Sequence, residues 1–399
     1  PWLADPLPRR GTVLSVTPPC VEPLRGSRMS RCLLLLHILF TVRRKPTRAA
    51  IQQIKKSLVE SVLHHARDPH ARWVDCLTSL NTCHHPAFRK PSMVDIRRLD
   101  PAASCAHFDA CFSAASQFDL VIVGTADAGR LQRLVEKWLA SIPPAATPEA
   151  NRRREPAELT PLGVRFPRGV THKRLSLPMI DAGSSTQLTW RFTFDASRHE
   201  YLQTHELSLA SKVLELRLMQ RLRFETSAVY QTSVRLDLGT YLAPDPSTPF
   251  EGTLIVSFSS DATRAASSVE LARAELQLLL CEGATEADLT SARQISAREH
   301  EDATQTNQYW LSRLAHAVSS GRVEGAAEDR FRVWEELRLR ALADLSAQTV
   351  KRALGRLDMQ NFTVVTLVPS TLPPICTNAT AIVHESLLRC VAPPIEPHA

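Results

Sequence analysis

A long-range repeat runs through this chain, and it limits the fold more than any single motif. Residues 275 to 283, ELQLLLCEG, form an apolar helical pattern, followed by ATEADLTSARQISAREHED and then Tyr309-Trp310. Residues 32 to 40, CLLLLHILF, are followed in the same way by PTRAAIQQIKKSLVESVLHH and then Trp73. The spacing from the start of the second helix to the tryptophan is nearly the same in both copies. Each copy ends in a short apolar run, FDLVIVG at 118 to 124 and NFTVVTLVP at 361 to 369, and such runs read as buried strands. Two tandem copies of one α+β unit are expected. The first lacks an equivalent of residues 165 to 260 and so reads as truncated.

Periodicity fills in the elements. Ile51, Ile54, Leu58, Val62 and Leu63 recur at helical spacing across 50 to 70, and Leu131 to Leu139 reads as a helix closing at Ile142-Pro-Pro. The run CLLLLHILFTV, 32 to 42, is too short to span a bilayer. It could imitate a signal peptide, but Arg43, Arg44 and Lys45 follow with no small-residue cleavage site, so it reads as a buried helix. In the second copy, Ala210, Leu214, Leu218 and Leu222 sit at i+4 spacing in a helix over 200 to 224. A strand over 228 to 238 alternates, with Tyr230, Thr232, Val234, Leu236 and Leu238 on one face and Gln231, Ser233, Arg235 and Asp237 on the other. Leu254, Val256 and Phe258 alternate again, a helix over 264 to 281 stops at Gly283, and Thr285 with Asp288 forms a capping box.

The domain boundaries follow. Residues 1 to 31, rich in Pro and Arg without a period, form a disordered or unrelated segment. The truncated first unit covers 32 to 143, and a linker rich in Pro, Ala and charge covers 144 to 160. The second unit covers 161 to 370, and a Pro-rich tail covers 371 to 399.

Several function classes are excluded. The net charge of +7 is spread along the chain, and no basic stretch interleaves with aromatics, so nucleic acid is not expected as a partner. Nine scattered cysteines without a C-x-x-C argue against a disulfide framework or a cysteine zinc site, and Cys105 and Cys111 read as buried thiols. The histidines of HHARDPH (64 to 70) and CHH (83 to 85) read as surface or packing residues. The sequons at Asn361 and Asn378 carry little weight, because such triplets arise often by chance and Asn361 opens a strand.

Six stretches, taken in order, carry a family resemblance. They are FTVRRKPTRAAIQQIKKSL, HPAFRKPSMVDIRRLDP, FDLVIVGTADAGRLQRLVEKWLASIP, LMQRLRFETSAVYQTSV, EGATEADLTSARQ and NQYWLSRLA. Together, over roughly residues 32 to 370, they resemble the C-terminal, non-catalytic half of the pitrilysin/insulinase family of zinc metallopeptidases. The resemblance implies an antiparallel-rich sheet with packed helices in each unit, and two bowl-shaped halves that enclose a peptide chamber. It places zinc in a catalytic half, held by an H-x-x-E-H motif and a distal glutamate. It makes that half, on the same precursor or a separate subunit, and a peptide substrate the partners of this chain. It also implies that Arg223 and Tyr230 bind substrate.

The chemistry of those two residues suits the role. A guanidinium can donate paired hydrogen bonds to peptide carbonyls, and a phenol can donate to an oxyanion. Read by pattern alone, Tyr230 could equally pack beside Val234, and Arg223 could be a solvated helix end.

The sequence offers no catalytic or metal-binding residue of its own. In H-x-x-E-H terms, Glu299-His300 has Ser296 where the first histidine belongs. His199-Glu200 has Gln203 where an H-E-x-x-H motif needs its second histidine. Whether the chain is an enzyme by itself is left open. The other reading is a proteolytically inactive scaffold, comparable to the core subunits of the respiratory cytochrome complex. The compartment is also open, an organelle and a periplasm both being compatible.

The linker composition makes a testable statement. Limited trypsin digestion is expected to cut first at Arg152 to Arg154. Earlier cuts within 200 to 240 would place the boundary elsewhere.

Overall fold

The structure is a computed structural model. It describes residues 26–370 apart from positions 44, 126 and 196 and the segments 146–162, 180–182, 226–228, 239–251 and 320–325. The expected linker, from residue 146 on, and the C-terminal tail lie outside the described residues.

The first unit is helical: α1 (Gly26–Thr41), α2 (Arg48–Arg67), α3 (Pro69–Asn81), α4 (Met93–Arg98), α5 (Pro101–Cys111) and α6 (Ala128–Trp138). Thr47 caps α2 by accepting from Ala50 N. Asp68 closes α2 and caps α3, so the two helices meet at one residue. The second unit runs β1 (Val170–Leu177), β2 (Gly183–Phe192), α7 (Glu200–Leu218), β3 (Val229–Leu238) and β4 (Gly252–Asp261). It continues through α8 (Ala265–Cys281), α9 (Glu286–Thr304), α10 (Asn307–Ser319), α11 (Ala327–Ala343), α12 (Ala347–Leu354) and β5 (Leu357–Pro369). The expected capping box is present, with Thr285 accepting from Asp288 N, and Gly283 adopts a φ of 89° where α8 stops.

The repeat is visible in element lengths. Helices α1, α2 and α3 have 16, 20 and 13 residues, and α8, α9 and α10 have 17, 19 and 13.

The strands form one sheet in the order β1-β5-β2-β4-β3. Only the β1–β5 pair is parallel. Strand alternation sends Leu188, Trp190, Phe192, Leu254, Val256, Phe362 and Val364 into one core with α7 and α8. Val365 and Leu367 face the other way and receive Trp73 and Leu77 of α3. The Trp73 indole N–H donates to the Val365 carbonyl at 3.2 Å. A helix of the first unit thereby closes the second face of the sheet. Among the described residues no helix is long and apolar enough to cross a membrane.

Four expectations need correction. Residues 118–123 form no strand. A strand requires a neighbour to satisfy its backbone, and none pairs there among the described residues. Phe118 stacks on Phe112 instead, with ring centroids 5.5 Å apart, and Leu120 is half exposed. Helical structure starts at Gly26, ahead of the expected boundary at 32.

Helix α1 is only partly buried. Leu33 is inside, but Leu35 is 57% exposed, and Ile38 and Val42 help line an apolar groove of about 460 Å³ between α1, α2 and α5. Cys105 lines that groove, and Cys111 is an exposed thiol rather than a buried one.

Trp73 is the test of how firmly the first unit closes the sheet. Trp73→Ala is expected to cost about 3–5 kcal/mol in chemical denaturation through the cavity it leaves. Trp73→Phe, which keeps most of the packing but loses the bond to Val365, should cost only about 1 kcal/mol.

Candidate functional site

Helix α7 is buried on nearly every side and runs through the core, carrying polar side chains such as Gln203, His205 and Glu206 inside with it. At its C-terminal end the regular helix gives way to π turns over Met219–Glu225. Such turns recur at functional sites. Leu222 stays fully buried, while Arg221, Arg223 and Phe224 emerge. Phe224 is 67% exposed, and the Arg223 guanidinium lies 5.6 Å from its ring centroid. The π segment packs against β3, so Arg223 and Tyr230 stand on adjoining elements.

Strand β3 opens with a bulge. Val229 pairs with Ser260 and Gln231 with Ser259, so Tyr230 is the extra residue. Val229 turns into the core, and Tyr230 is 64% exposed. This corrects the expected alternation. Val234, Leu236 and Leu238 do lie against the core, but Tyr230 does not share their packing.

The phenol O–H donates to Asp261 Oδ1 at 2.6 Å. That hydrogen bond and the Asp261 charge hold the Tyr230 pKa above the ordinary phenol value, with Arg264 opposing them. Asp261 ends β4 on firm footing. Just before it, the buried Ser184 hydroxyl donates to the Ser260 carbonyl at 2.9 Å and lies 3.0 Å from the Ser260 hydroxyl. Sequence reasoning missed Asp261. It lies in another strand, and only the β3–β4 register brings it to Tyr230.

Two near-motifs prove to be structural. His199 caps α7 through Nδ1, which accepts from Tyr201 N at 3.2 Å. Gln203 clamps the preceding loop, donating to the carbonyls of Asp195 and Arg198 and accepting from Asp195 N, each at 2.8 Å. His300 lies 3.7 Å from Glu335, which accepts from Tyr309 O–H and Arg338 Nε at 2.9 Å each. Burial pulls the Glu335 pKa up, but the Arg338 and Tyr309 hydrogen bonds outweigh it and keep the carboxyl below its usual range. Burial and Glu335 push Tyr309 up to about 12. Among the described residues no group of three or more His, Cys, Asp or Glu could hold a metal ion. In the His-rich stretches, His65 Nε2 meets Asp75, and His85 Nδ1 accepts from Ala87 N.

Comparison with known proteins agrees with this architecture. Residues 100–296 match the family described as the peptidase M16 inactive domain, a span that includes Arg223, Tyr230 and Asp261. The zinc protease PQQL-like of Arabidopsis thaliana is 30% identical over 346 residues, 86% of this chain and 36% of that protein. The chain thus spans about a third of the length of that relative. The first half of the periplasmic protease PqqL of Escherichia coli superposes with a TM-score of 0.65 at 13% identity, covering 86% of this chain and 71% of that one. The M16 inactive domain of Pseudomonas fluorescens gives 0.59 at 15% identity, covering 87% and 76%. At such identities these two likenesses are of fold, and the fold is the α+β arrangement of M16 peptidases.

One buried group makes this region sensitive to pH. His205 of α7 lies inside, with Nε2 3.1 Å from the Trp334 carbonyl and the Trp334 ring 4.3 Å away. Burial pushes its pKa down to about 4, from 6.5 when exposed. Because the folded value is the lower one, protons favour the unfolded chain. Stability is unaffected by this group above pH 6.5 and falls between pH 6.5 and 4, by up to about 3 kcal/mol. His205→Gln is expected to flatten that part of a stability–pH curve measured by urea denaturation. An unchanged slope would show that His205 is not its source.

Proposed function

We propose that this chain, whose residues 100–296 match the peptidase M16 inactive domain, serves as the non-catalytic half of a zinc metalloendopeptidase. In this reading it closes the peptide chamber and contacts the bound peptide through Arg223 and Tyr230. The observation that carries the reading is the bulge at the start of β3, which buries Val229 and leaves the Tyr230 phenol in the open. A tyrosine kept only for packing would face inward with Val234.

Each residue then has a chemical task. The Arg223 guanidinium can present parallel N–H donors to backbone carbonyls of an extended peptide. The Tyr230 phenol can donate to the oxygen of the scissile carbonyl as it gains charge. Phe224, exposed next to Arg223, offers a surface for an apolar peptide side chain. Zinc would belong to the catalytic half, as the likeness to a zinc protease suggests.

The test needs both halves. In the enzyme assembled with its catalytic half, Tyr230→Phe is expected to lower kcat by roughly 10²–10³ with little change in KM. Arg223→Ala should mainly raise KM, because its contacts already exist with bound substrate. Circular dichroism should be unchanged for both. Wild-type kinetics for both variants would leave this chain a purely structural subunit.

A further inference from the structure

The Tyr230 phenol has one proton, and that proton is already committed. A phenol offers one donor and two lone pairs. While its O–H points at Asp261 Oδ1, 2.6 Å away, Tyr230 can accept from a peptide N–H but cannot donate to a carbonyl oxygen. The two partners are held differently. Asp261 sits at the end of β4 opposite Gly183, and its carbonyl accepts from Arg264 N at 2.9 Å as the chain turns into α8. Tyr230 rides on a bulge with most of its ring in solvent.

We propose that Asp261 is a latch on Tyr230, withholding the phenol proton from the ground-state peptide and releasing it only to the charge that develops during the reaction. The proposal rests on the reading of Tyr230 as an oxyanion donor. A carboxylate is a stronger acceptor than a neutral carbonyl, so the bound substrate does not take the proton from Asp261. An oxyanion carries comparable charge and competes for it. Tyr230 then contributes to the transition state without tightening the ground state, which is how an interaction raises turnover rather than merely lowering KM. Asp261 is thus a positioning residue that acts through Tyr230, and the raised phenol pKa is consistent with the bond.

The experiment has two arms. In the isolated chain, spectrophotometric tyrosine titration, with Tyr230→Phe to assign the signal, should show Tyr230 ionising at lower pH in Asp261→Asn and Asp261→Ala than in wild type. No shift would mean the bond does not form in solution and would end the proposal. In the assembled enzyme, both Asp261 variants should lower KM about fivefold, the size expected when one hydrogen-bond donor is freed, with kcat unchanged or raised because the transition state no longer draws the phenol away from a carboxylate. The effect should vanish in a Tyr230→Phe background. A fall in kcat like that of Tyr230→Phe would mean that Asp261 aims the phenol rather than withholding it, and wild-type kinetics would mean that it does neither. Either result overturns the latch while Tyr230→Phe still reports on the donor itself. If Tyr230→Phe turns over like wild type, the donor reading fails and the latch fails with it, whatever the titration shows.

Discussion

Burial of the Glu206 carboxylate on α7 is the constraint on which the rest depends. It is 5% exposed, and a charge so placed is tolerated only when it is paired and hydrogen-bonded. Arg198 grips it with two bonds of 2.8 and 2.6 Å, and Arg352 of α12 adds a third at 2.9 Å. Burial alone would raise its pKa, but the arginines more than reverse that and keep it charged. One carboxylate therefore ties together the loop before α7, α7 itself and α12. With Gln203 clamping the same loop, the N-terminal end of α7 has a fixed position and rotation. A helix fixed at one end and packed along its length delivers its other end to a fixed place, and that end carries Arg223.

The junction that follows works by two anchors. Leu222 and Val229 are both buried, one in the last helical turns and one at the first residue of β3. What lies just beyond each anchor is turned out: Arg223 and Phe224 after the first, Tyr230 after the second. Strand alternation alone could not do this. With period two, an exposed Tyr230 would put Val234, Leu236 and Leu238 on the exposed face as well. The extra residue of the bulge reverses the face once. It frees the phenol while the rest of β3 stays against the core.

What was legible in the sequence were features decided locally. The capping box at Thr285, the stop at Gly283 and the alternation of Leu254, Val256 and Phe258 depend on neighbours a few residues away, and the structure has all of them. The repeat was legible because helix length and capping are local too. Features decided by distant partners were not. FDLVIVG has the composition of a strand but, among the described residues, no strand pairs with it. The facing of Tyr230 depends on its register against Ser259 and Ser260, which no pattern within 228–238 encodes. Asp261, 31 residues beyond Tyr230, could not be found without that register. Arg223 and Tyr230 were singled out by family resemblance; periodicity alone would have left one as a helix end and the other as a core residue.

The polar groups of the second unit divide into those spent on folding and those left facing outward. Glu299 is paired with Lys212 at 2.9 Å, His300 faces Glu335, His199 caps α7, and Gln203 clamps a loop. The positions that superficially look like fragments of a zinc motif are thus engaged in local structure. Freeing His199 or Gln203 for another ligand would leave the end of α7 or the loop before it without its hydrogen bonds. Among the described residues, Arg223 and Phe224 carry no comparable duty to the core. Among the described residues Tyr230 makes a single side-chain hydrogen bond to the fold, at the solvent boundary, so exchanging that partner disturbs little packing. A side chain that can trade that hydrogen bond at little cost to the core is suited to a partner that comes and goes, such as a peptide.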